Sequence, residues 1–367
     1  MNSALWLETG GSSTSGAMMI DYITARIGLP RPLPEPIHGG YLVRTGENGD
    51  VEVSTARRKT VLGSHEASLQ IRAPSTNELE ISGNPAKFVQ GHNLWGPSDP
   101  IAVLWDALKR VEREKIIPPL ASLGIDRKEA LAAFTTVSRV DCTVMFLGKS
   151  LGDVLYTLRS LRVAGRLRDR GKSGLPYPWA RGDGVTFGSK PGKSFTHRSI
   201  TFYSKGLDVR VHPLPELMQT DRELLQWAER CLRCEVRLGR NYLRKTGLQH
   251  LAAWSEETAN DQWTMMMERM DMNGSDVKPH DLDSLPPRLQ MAYAAWQKGM
   301  DLKTIHSKPT FYRYRSALLD ALGVDIAIPR SQEPTAHIVP IKRVIELEPA
   351  GRPEFADRIE AMLDDAA

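Results

Sequence analysis

Two short segments, Ser138-Arg139-Val140-Asp141-Cys142-Thr143-Val144 and Cys234-Glu235-Val236-Arg237-Leu238, alternate polar with apolar residues, the pattern of strands buried on one face. On such strands Arg139, Asp141 and Thr143 share one face, as do Glu235 and Arg237. Val140, Cys142, Val144, Val236 and Leu238 then point to a core. Each strand thus offers a carboxylate and an arginine to the same kind of surface. Neighbouring carboxylates ionise together only where a cation or guanidinium compensates them, so a hard divalent ion held through oxygen suits the pair. The same spacing also describes two sheet edges with solvated charges.

With 367 residues, 41% of them apolar, the chain can bury a sizeable core, more readily as two domains than as one or three. No stretch reaches the roughly 18 apolar residues of a membrane span. Residues 1–18 are rich in Gly and Ser without a basic segment followed by an apolar block, and read as a flexible leader of a cytoplasmic protein. Only Cys142, Cys231 and Cys234 occur, and a lone Cys-x-x-Cys lacks the second ligand pair of a structural zinc. The net charge is +4, yet Arg159, Arg162, Arg166, Arg168, Arg170 and Lys172 crowd one stretch opposed only by Asp169. That stretch suits a phosphate backbone or an ordinary solvated surface.

Along the chain, Ile20-Asp21-Tyr22-Ile23 reads as a strand, and Glu78-Leu79-Glu80-Ile81 as another that closes on Gly83-Asn84-Pro85. Asp99-Pro100 opens a helix striped by Ile101, Leu104, Trp105, Leu108 and Val111. After a strand at 137–146 and a helix near 150–164, residues 165–195 form a long Gly-, Pro- and Arg-rich loop. Ser199 to Lys205 reads as a strand whose polar face collects Thr201, Tyr203 and Lys205. Thr220-Asp221-Arg222-Glu223 makes a capping box for a helix leading into the Glu235 strand. The pattern turns helical beyond about 250, with Pro286 to Met300, a break at Ser307-Lys308-Pro309, and a second helix from Thr310 to Gly323 that begins with aromatics and arginines. Arg313 and Arg315 lie two apart, so at most one of them reads a base and the other holds backbone; a plain helical hairpin fits as well. We therefore expect an α+β fold with an antiparallel sheet open on one face.

Four ordered blocks resemble the gene II replication initiators of filamentous phages. They are Gly83-Asn84-Pro85-Ala86-Lys87-Phe88-Val89-Gln90-Gly91-His92-Asn93-Leu94-Trp95-Gly96; Val137 to Thr143; Cys234-Glu235-Val236-Arg237 running on to Tyr242-Leu243-Arg244-Lys245-Thr246-Gly247-Leu248; and Phe311 to Leu318. The resemblance spans about residues 19–330. It implies a rolling-circle initiator: a catalytic domain at 19–250, a helical, helix-turn-helix-like DNA-binding region at 251–330 and a tail at 331–367. The implied enzyme nicks one strand of a duplex origin, leaves a 3′-hydroxyl, and rejoins the displaced single strand. Duplex and single-stranded DNA would be its ligands, and a host helicase and polymerase its partners. A non-catalytic origin-binding protein and a plasmid initiator or relaxase are the alternatives.

The chain lacks the His-x-His of plasmid initiators, so the magnesium or manganese ligands are assigned to Asp141 and Glu235, completed by His92, with Glu80 as a further candidate. His92 equally suits a backbone-bonding turn. Tyrosine is the expected nucleophile because a phosphotyrosine ester conserves the bond for rejoining. Tyr203 is preferred, since Lys205 on the same strand face would favour its phenolate; Tyr242 is the rival. Arg139, Arg237, His197 and the basic Arg166, Arg168 and Arg170 are expected on phosphate, and Arg313 and Arg315 on duplex DNA.

Overall fold

The alternating run at Ile20 belongs to an 11-residue strand, β1 (Met18–Gly28), in a computed structural model that describes residues 17–63, 67–169, 172–174, 176–179, 181–189, 196–271, 285–322, 324–327 and 348–364. Then follow β2 (Tyr41–Thr45), β3 (Val51–Ala56), β4 (Lys59–Leu62), β5 (Ser68–Ser75) and β6 (Glu78–Gly83). Helices α1 (Pro85–Gln90), α2 (Pro100–Arg113) and α3 (Lys128–Phe134) lead to β7 (Thr135–Leu147), and α4 (Leu151–Ala164) leads to β8 (Arg166–Asp169), β9 (Lys172–Gly174), β10 (Tyr177–Pro178), β11 (Gly184–Gly188) and β12 (Arg198–Ser204). Next come α5 (Lys205–Val211), α6 (Glu216–Gln219), α7 (Arg222–Glu229), β13 (Cys231–Gly239), α8 (Arg240–Thr246), α9 (Glu256–Met267) and β14 (Met270–Asp271). The chain finishes with α10 (Pro287–Gln297), α11 (Leu302–Ile305), α12 (Lys308–Leu322), β15 (Glu348–Pro349) and α13 (Ala356–Asp364).

The fold is α+β. Its main sheet runs β10-β11-β12-β13-β7-β1-β6-β5-β4, with the paired strands antiparallel and β15 added to the end of β7. The two strands that carry Asp141 and Glu235 are therefore central neighbours rather than edges. Val140, Cys142, Val144, Val236 and Leu238 are fully buried in one apolar cluster with Val103, Leu104 and Leu108 of α2 and Trp263 and Met266 of α9. That core thus extends past residue 250. The other sheet face is covered at its far end by a second cluster, Met145 and Cys231 against Leu94, Trp95, Met218, Leu224 and Ile359. Cys231 and Cys234, three apart on one strand, accordingly fall in different clusters on opposite faces and cannot grip one metal.

Several local expectations change in detail. The helix α7 is capped by Asp221, whose carboxylate accepts from Leu224 N, rather than by Thr220. Strand β12 stops at Ser204, whose hydroxyl caps α5, so Lys205 opens a helix instead of ending a strand. The span 165–195 is no simple loop: within it β10 and β11 extend the main sheet and β8 pairs with β9 and β14. Lys308-Pro309 does not break α12 but starts it, as proline tolerates a first helical turn. Residues 348–364 fold back as β15 and α13 rather than trailing as a tail. Helices α10 to α12 gather their own apolar cluster, including Leu289, Trp296, Leu302, Phe311 and Leu318.

Candidate active site

The antiparallel register sets the polar face residue by residue. Arg237 lies opposite Asp141, Glu235 opposite Thr143, and on the next strand Thr201 lies opposite Glu235 and Tyr203 opposite Arg233. Cross-strand partners share a face, so Tyr203, Arg233, Glu235, Arg237 and Asp141 converge. On the other side of β7, Tyr22 is opposite Asp141, and an irregularity between Ile20 and Tyr22 leaves Asp21 as an extra residue.

Arg233 is the hub. It is fully buried, its Nε donates to Glu235 Oε1 at 2.9 Å, its Nη2 lies 2.6 Å from Asp21 Oδ1, and its Nη1 donates to the Asn93 carbonyl. The Tyr203 hydroxyl donates to the same Glu235 oxygen at 2.7 Å. Asp21 Oδ1 also accepts from Asn93 Nδ2 at 3.0 Å and from Asn84 Nδ2. Lys205 Nζ donates to Asp208 Oδ2 at 2.8 Å and to Asn93 Oδ1 at 3.1 Å. Asp141 is gripped through both oxygens by Arg139, with Nε at 2.8 Å and Nη2 on the second oxygen, and receives Arg237 Nε at 3.3 Å. The Arg139 guanidinium lies 3.8 Å from the centre of the Tyr22 ring.

Burial and charge separate the two carboxyls around Arg233. Burial pushes Asp21 up, but the Arg233 charge and the bonds from Asn93 and Arg233 outweigh it and hold the group below the usual aspartate range. For Glu235 burial wins over the Arg233 charge, and the nearby Asp21 and Asp141 charges add to it, so its carboxyl is raised. Burial also lifts the Tyr203 phenol well above its ordinary value. The expected help from Lys205 fails for a physical reason: its ammonium is itself buried beside Arg233, its pKa is lowered, and its bonds run to Asp208 and Asn93 rather than to the phenol.

Not every expected residue joins this group. His92 is fully buried, its ring against Trp95 at 4.5 Å and its Nδ1 accepting from Leu94 N at 3.4 Å; the block contributes Asn84 and Asn93 to the site instead. Glu80 lies opposite Arg26 while Asp141 lies opposite Tyr22, four β1 residues or about 13 Å along the sheet, and Arg26 and Arg72 hold it there. The four expected metal ligands therefore do not form one set, and both Asp141 oxygens already face guanidinium groups. Among the described residues no group of three or more His, Cys, Asp or Glu stands in metal-holding arrangement. As arranged, these residues do not fit a divalent ion.

Tyr242 packs against the core on the opposite sheet face, the one that holds Cys142, and its hydroxyl donates to Gln262 Oε1 at 2.7 Å. His197 is exposed just before β12, six residues or about 20 Å from Tyr203. Arg166 is half-buried in β8 and donates to the Gly165 carbonyl; Arg168 is placed in the same strand by its backbone, and Arg170 lies outside the described residues. Arg313 is exposed on α12, but Arg315 is not available to DNA: it is 1% exposed, with its guanidinium on both oxygens of Asp325 at 2.6 and 2.7 Å.

The residues missed were Asp21, Asn84, Asn93 and Arg233. Asn84 and Asn93 sit inside the block that carries the resemblance, which was the available signal. Arg233 precedes the Cys234 alternation by one residue and reads as the end of a helix. Gly91, at φ +83°, turns the chain out of α1 so that Asn93 can reach back to β1.

Residues 19–257 match the family model for the N-terminal part of the phage gene II replication-associated protein, and residues 282–359 the model for its C-terminal part. The chain is 28% identical over 352 residues to the gene II replication-associated protein of Enterobacteria phage I2-2, covering 93% of this chain and 97% of that one. The structure of a rolling circle replication initiator protein from Geobacillus stearothermophilus aligns with a TM-score of 0.27 at 10% identity, over 64% of this chain and 78% of that chain. No helix among the described residues is long and apolar enough to cross a membrane.

Proposed function

Because the chain belongs to the gene II family of replication-associated proteins, we propose that it starts rolling-circle replication by nicking one strand of a duplex origin through Tyr203, and later rejoins the displaced strand. The observation that carries this reading is the Tyr203 hydroxyl on Glu235 Oε1 at 2.7 Å, within a group of arginines suited to a phosphate. Arg139 and Arg237, each about a quarter exposed while Asp141 is buried, present guanidinium groups at the rim where the scissile phosphate oxygens would sit.

Glu235 takes the phenolic proton as the Tyr203 oxygen attacks phosphorus. The phosphorus–O3′ bond breaks, the 3′-oxygen leaves with the proton that Glu235 returns, and the 5′-phosphate stays on Tyr203. Rejoining is the reverse: the 3′-hydroxyl gives its proton to Glu235, attacks the phosphotyrosine, and frees the phenol. A raised glutamate suits both directions, because a stronger base at the start is a usable acid at the end. Asp21 and Arg233 fix the electrostatics of the pair, and Lys205 braces the Asn93 loop.

In this proposal residues 19–250 supply the cleavage chemistry and α10 to α12 grip duplex DNA. The 3′-hydroxyl would be extended by a host polymerase while a host helicase opens the duplex. Incubation with a single-stranded origin oligonucleotide, followed by denaturing electrophoresis and peptide mapping, tests the reading directly. An adduct on the Tyr203 peptide supports it. An adduct on Tyr242 moves the nucleophile to the other sheet face, and the absence of any adduct leaves a DNA-binding protein without cleavage.

A further inference from the structure

Trp179 lies across the Tyr203 ring, the centroids 5.2 Å apart and the planes 24° from parallel. Its backbone N–H donates to the Gly184 carbonyl at 2.9 Å, Gly182 N–H returns to the Trp179 carbonyl at 3.0 Å, and Ser204 N–H donates to the Asp183 carbonyl at 2.9 Å. The turn that bears the indole is thereby fastened to the end of the Tyr203 strand. A Cβ on Gly184 would sit 2.6–3.0 Å from three Trp179 ring atoms, so this glycine, directly opposite Tyr203 in the register, is what lets the indole lie flat against the sheet. The indole Nε1 donates to Thr186 Oγ1 at 3.2 Å, and Thr186 Oγ1 is 3.1 Å from Thr201 Oγ1, beside Glu235 in the register.

A phenol held by one hydrogen bond can still swing about its side-chain torsions. Here one ring face is closed by a second aromatic plane that is itself locked at its nitrogen and at its backbone. Resting on the nicking reading, we propose that Trp179 is a positioning residue of the reaction: it sets the plane of Tyr203 so that the hydroxyl stays on Glu235 Oε1 and meets phosphorus in line. Removing it leaves the nucleophile, base and guanidinium groups in place but lets the hydroxyl wander, and a misplacement of about 1 Å costs on the order of 100-fold in rate. Stacked pairs in this geometry are favourable beyond the area they bury, so the plane is actively held.

The test compares wild type, Trp179→Ala, Trp179→Phe and Thr186→Val on one single-stranded origin oligonucleotide. Adduct formation is followed over a range of DNA concentrations, and Tyr203 nitration by tetranitromethane is mapped by mass spectrometry. Trp179→Ala should lower the saturating rate by about 10- to 100-fold with the half-saturating DNA concentration little changed, and should raise Tyr203 nitration. Trp179→Phe should restore most of the rate and the protection, since it keeps a ring. Thr186→Val, which keeps the indole but removes its anchor together with the Thr186–Thr201 contact, should fall between wild type and Trp179→Ala. A merely structural role would weaken DNA binding and rate together, and such a joint loss overturns the proposal. So does a wild-type rate in Trp179→Ala; if that variant does not fold, an unchanged rate and nitration in Thr186→Val does the same. A wild type that forms no adduct sinks the nicking reading itself, and the positioning role with it.

Discussion

At the residue scale the site is governed by one buried guanidinium. Arg233 compensates Asp21 and Glu235, and removing one partner of a buried ionic network leaves the others desolvated without charge balance. Arg233→Met should therefore lower the unfolding free energy by about 3–5 kcal/mol in urea titration. The acid side carries a sign. Asp21 is held below its ordinary range, so its contribution to stability is present above the unfolded aspartate pKa and is lost as pH falls through the folded value; that loss should shrink in Arg233→Met. Glu235 has the opposite sign: its raised carboxyl costs stability once ionised, an expense that fits the proposed role as base. Glu235→Gln should keep or gain stability while adduct formation drops by roughly 10²–10⁴-fold. The wild-type rate should fall as pH drops through a midpoint above the ordinary glutamate range, and a wild-type profile whose acid limb lies at or below that range would remove Glu235 as the base. Alternation disclosed the faces of Asp141, Glu235 and Arg237, because a strand's period of two is a local property. It could not disclose that Arg233, Asp21 and Asn93 meet, since that depends on a bulge in β1 and on a loop reaching across the sheet.

At the scale of elements, the loop that carries Asn93 is braced from the far end of the chain. Trp95 Nε1 donates to Glu360 Oε1 at 2.7 Å, the Trp95 ring meets Phe355 and Trp227 edge-on, and Arg358 pairs with Asp221 and Glu223 at the start of α7. The Ala350 N–H donates to the Met145 carbonyl at 2.7 Å, so the C-terminal return is hydrogen-bonded to β7 as well as packed on it. Deleting residues 348–367 should expose the cluster of Leu94, Trp95 and Met218, lower the melting temperature by several degrees, and slow adduct formation by loosening Asn93. A truncated chain with unchanged melting and unchanged rate would show that the return is dispensable. The helices α2 and α4 and the strand β7 were legible because their caps and periods are local, Asp99 and Ser150 at the helix starts among them. The strands within 165–195 were not: β8, β9 and β10 run only two to four residues, too short to show a period, and although β8 pairs with β9 and β10 with β11 nearby, the other partner of β8 is β14, far along the chain.

For the whole molecule, the proposed function places cleavage on the main sheet and duplex grip on α10 to α12, which gather an apolar cluster of their own, so the two should be separable by mutation. One link between them among the described residues is Arg315, which besides Asp325 donates to the carbonyl of Pro176, the residue just before β10, at 2.6 Å. Helical spacing correctly implied that Arg313 and Arg315 face different ways, but which of them faces inward depended on Asp325, beyond the end of α12. Arg313→Ala should weaken binding to origin duplex and reduce the salt-dependence slope by about 1, as loss of one phosphate contact does. It should leave adduct formation on a single-stranded oligonucleotide unchanged, because no residue of the Tyr203 site lies on α12. Arg315→Ala should behave differently, costing about 3–5 kcal/mol by stranding Asp325 and disturbing both activities at once. Electrophoretic titrations at several salt concentrations, run beside the adduct assay, distinguish the two. Equal losses of both activities in Arg313→Ala would mean that duplex grip and cleavage share one surface after all, and the assignment of α10 to α12 as a separate DNA-holding unit would fall.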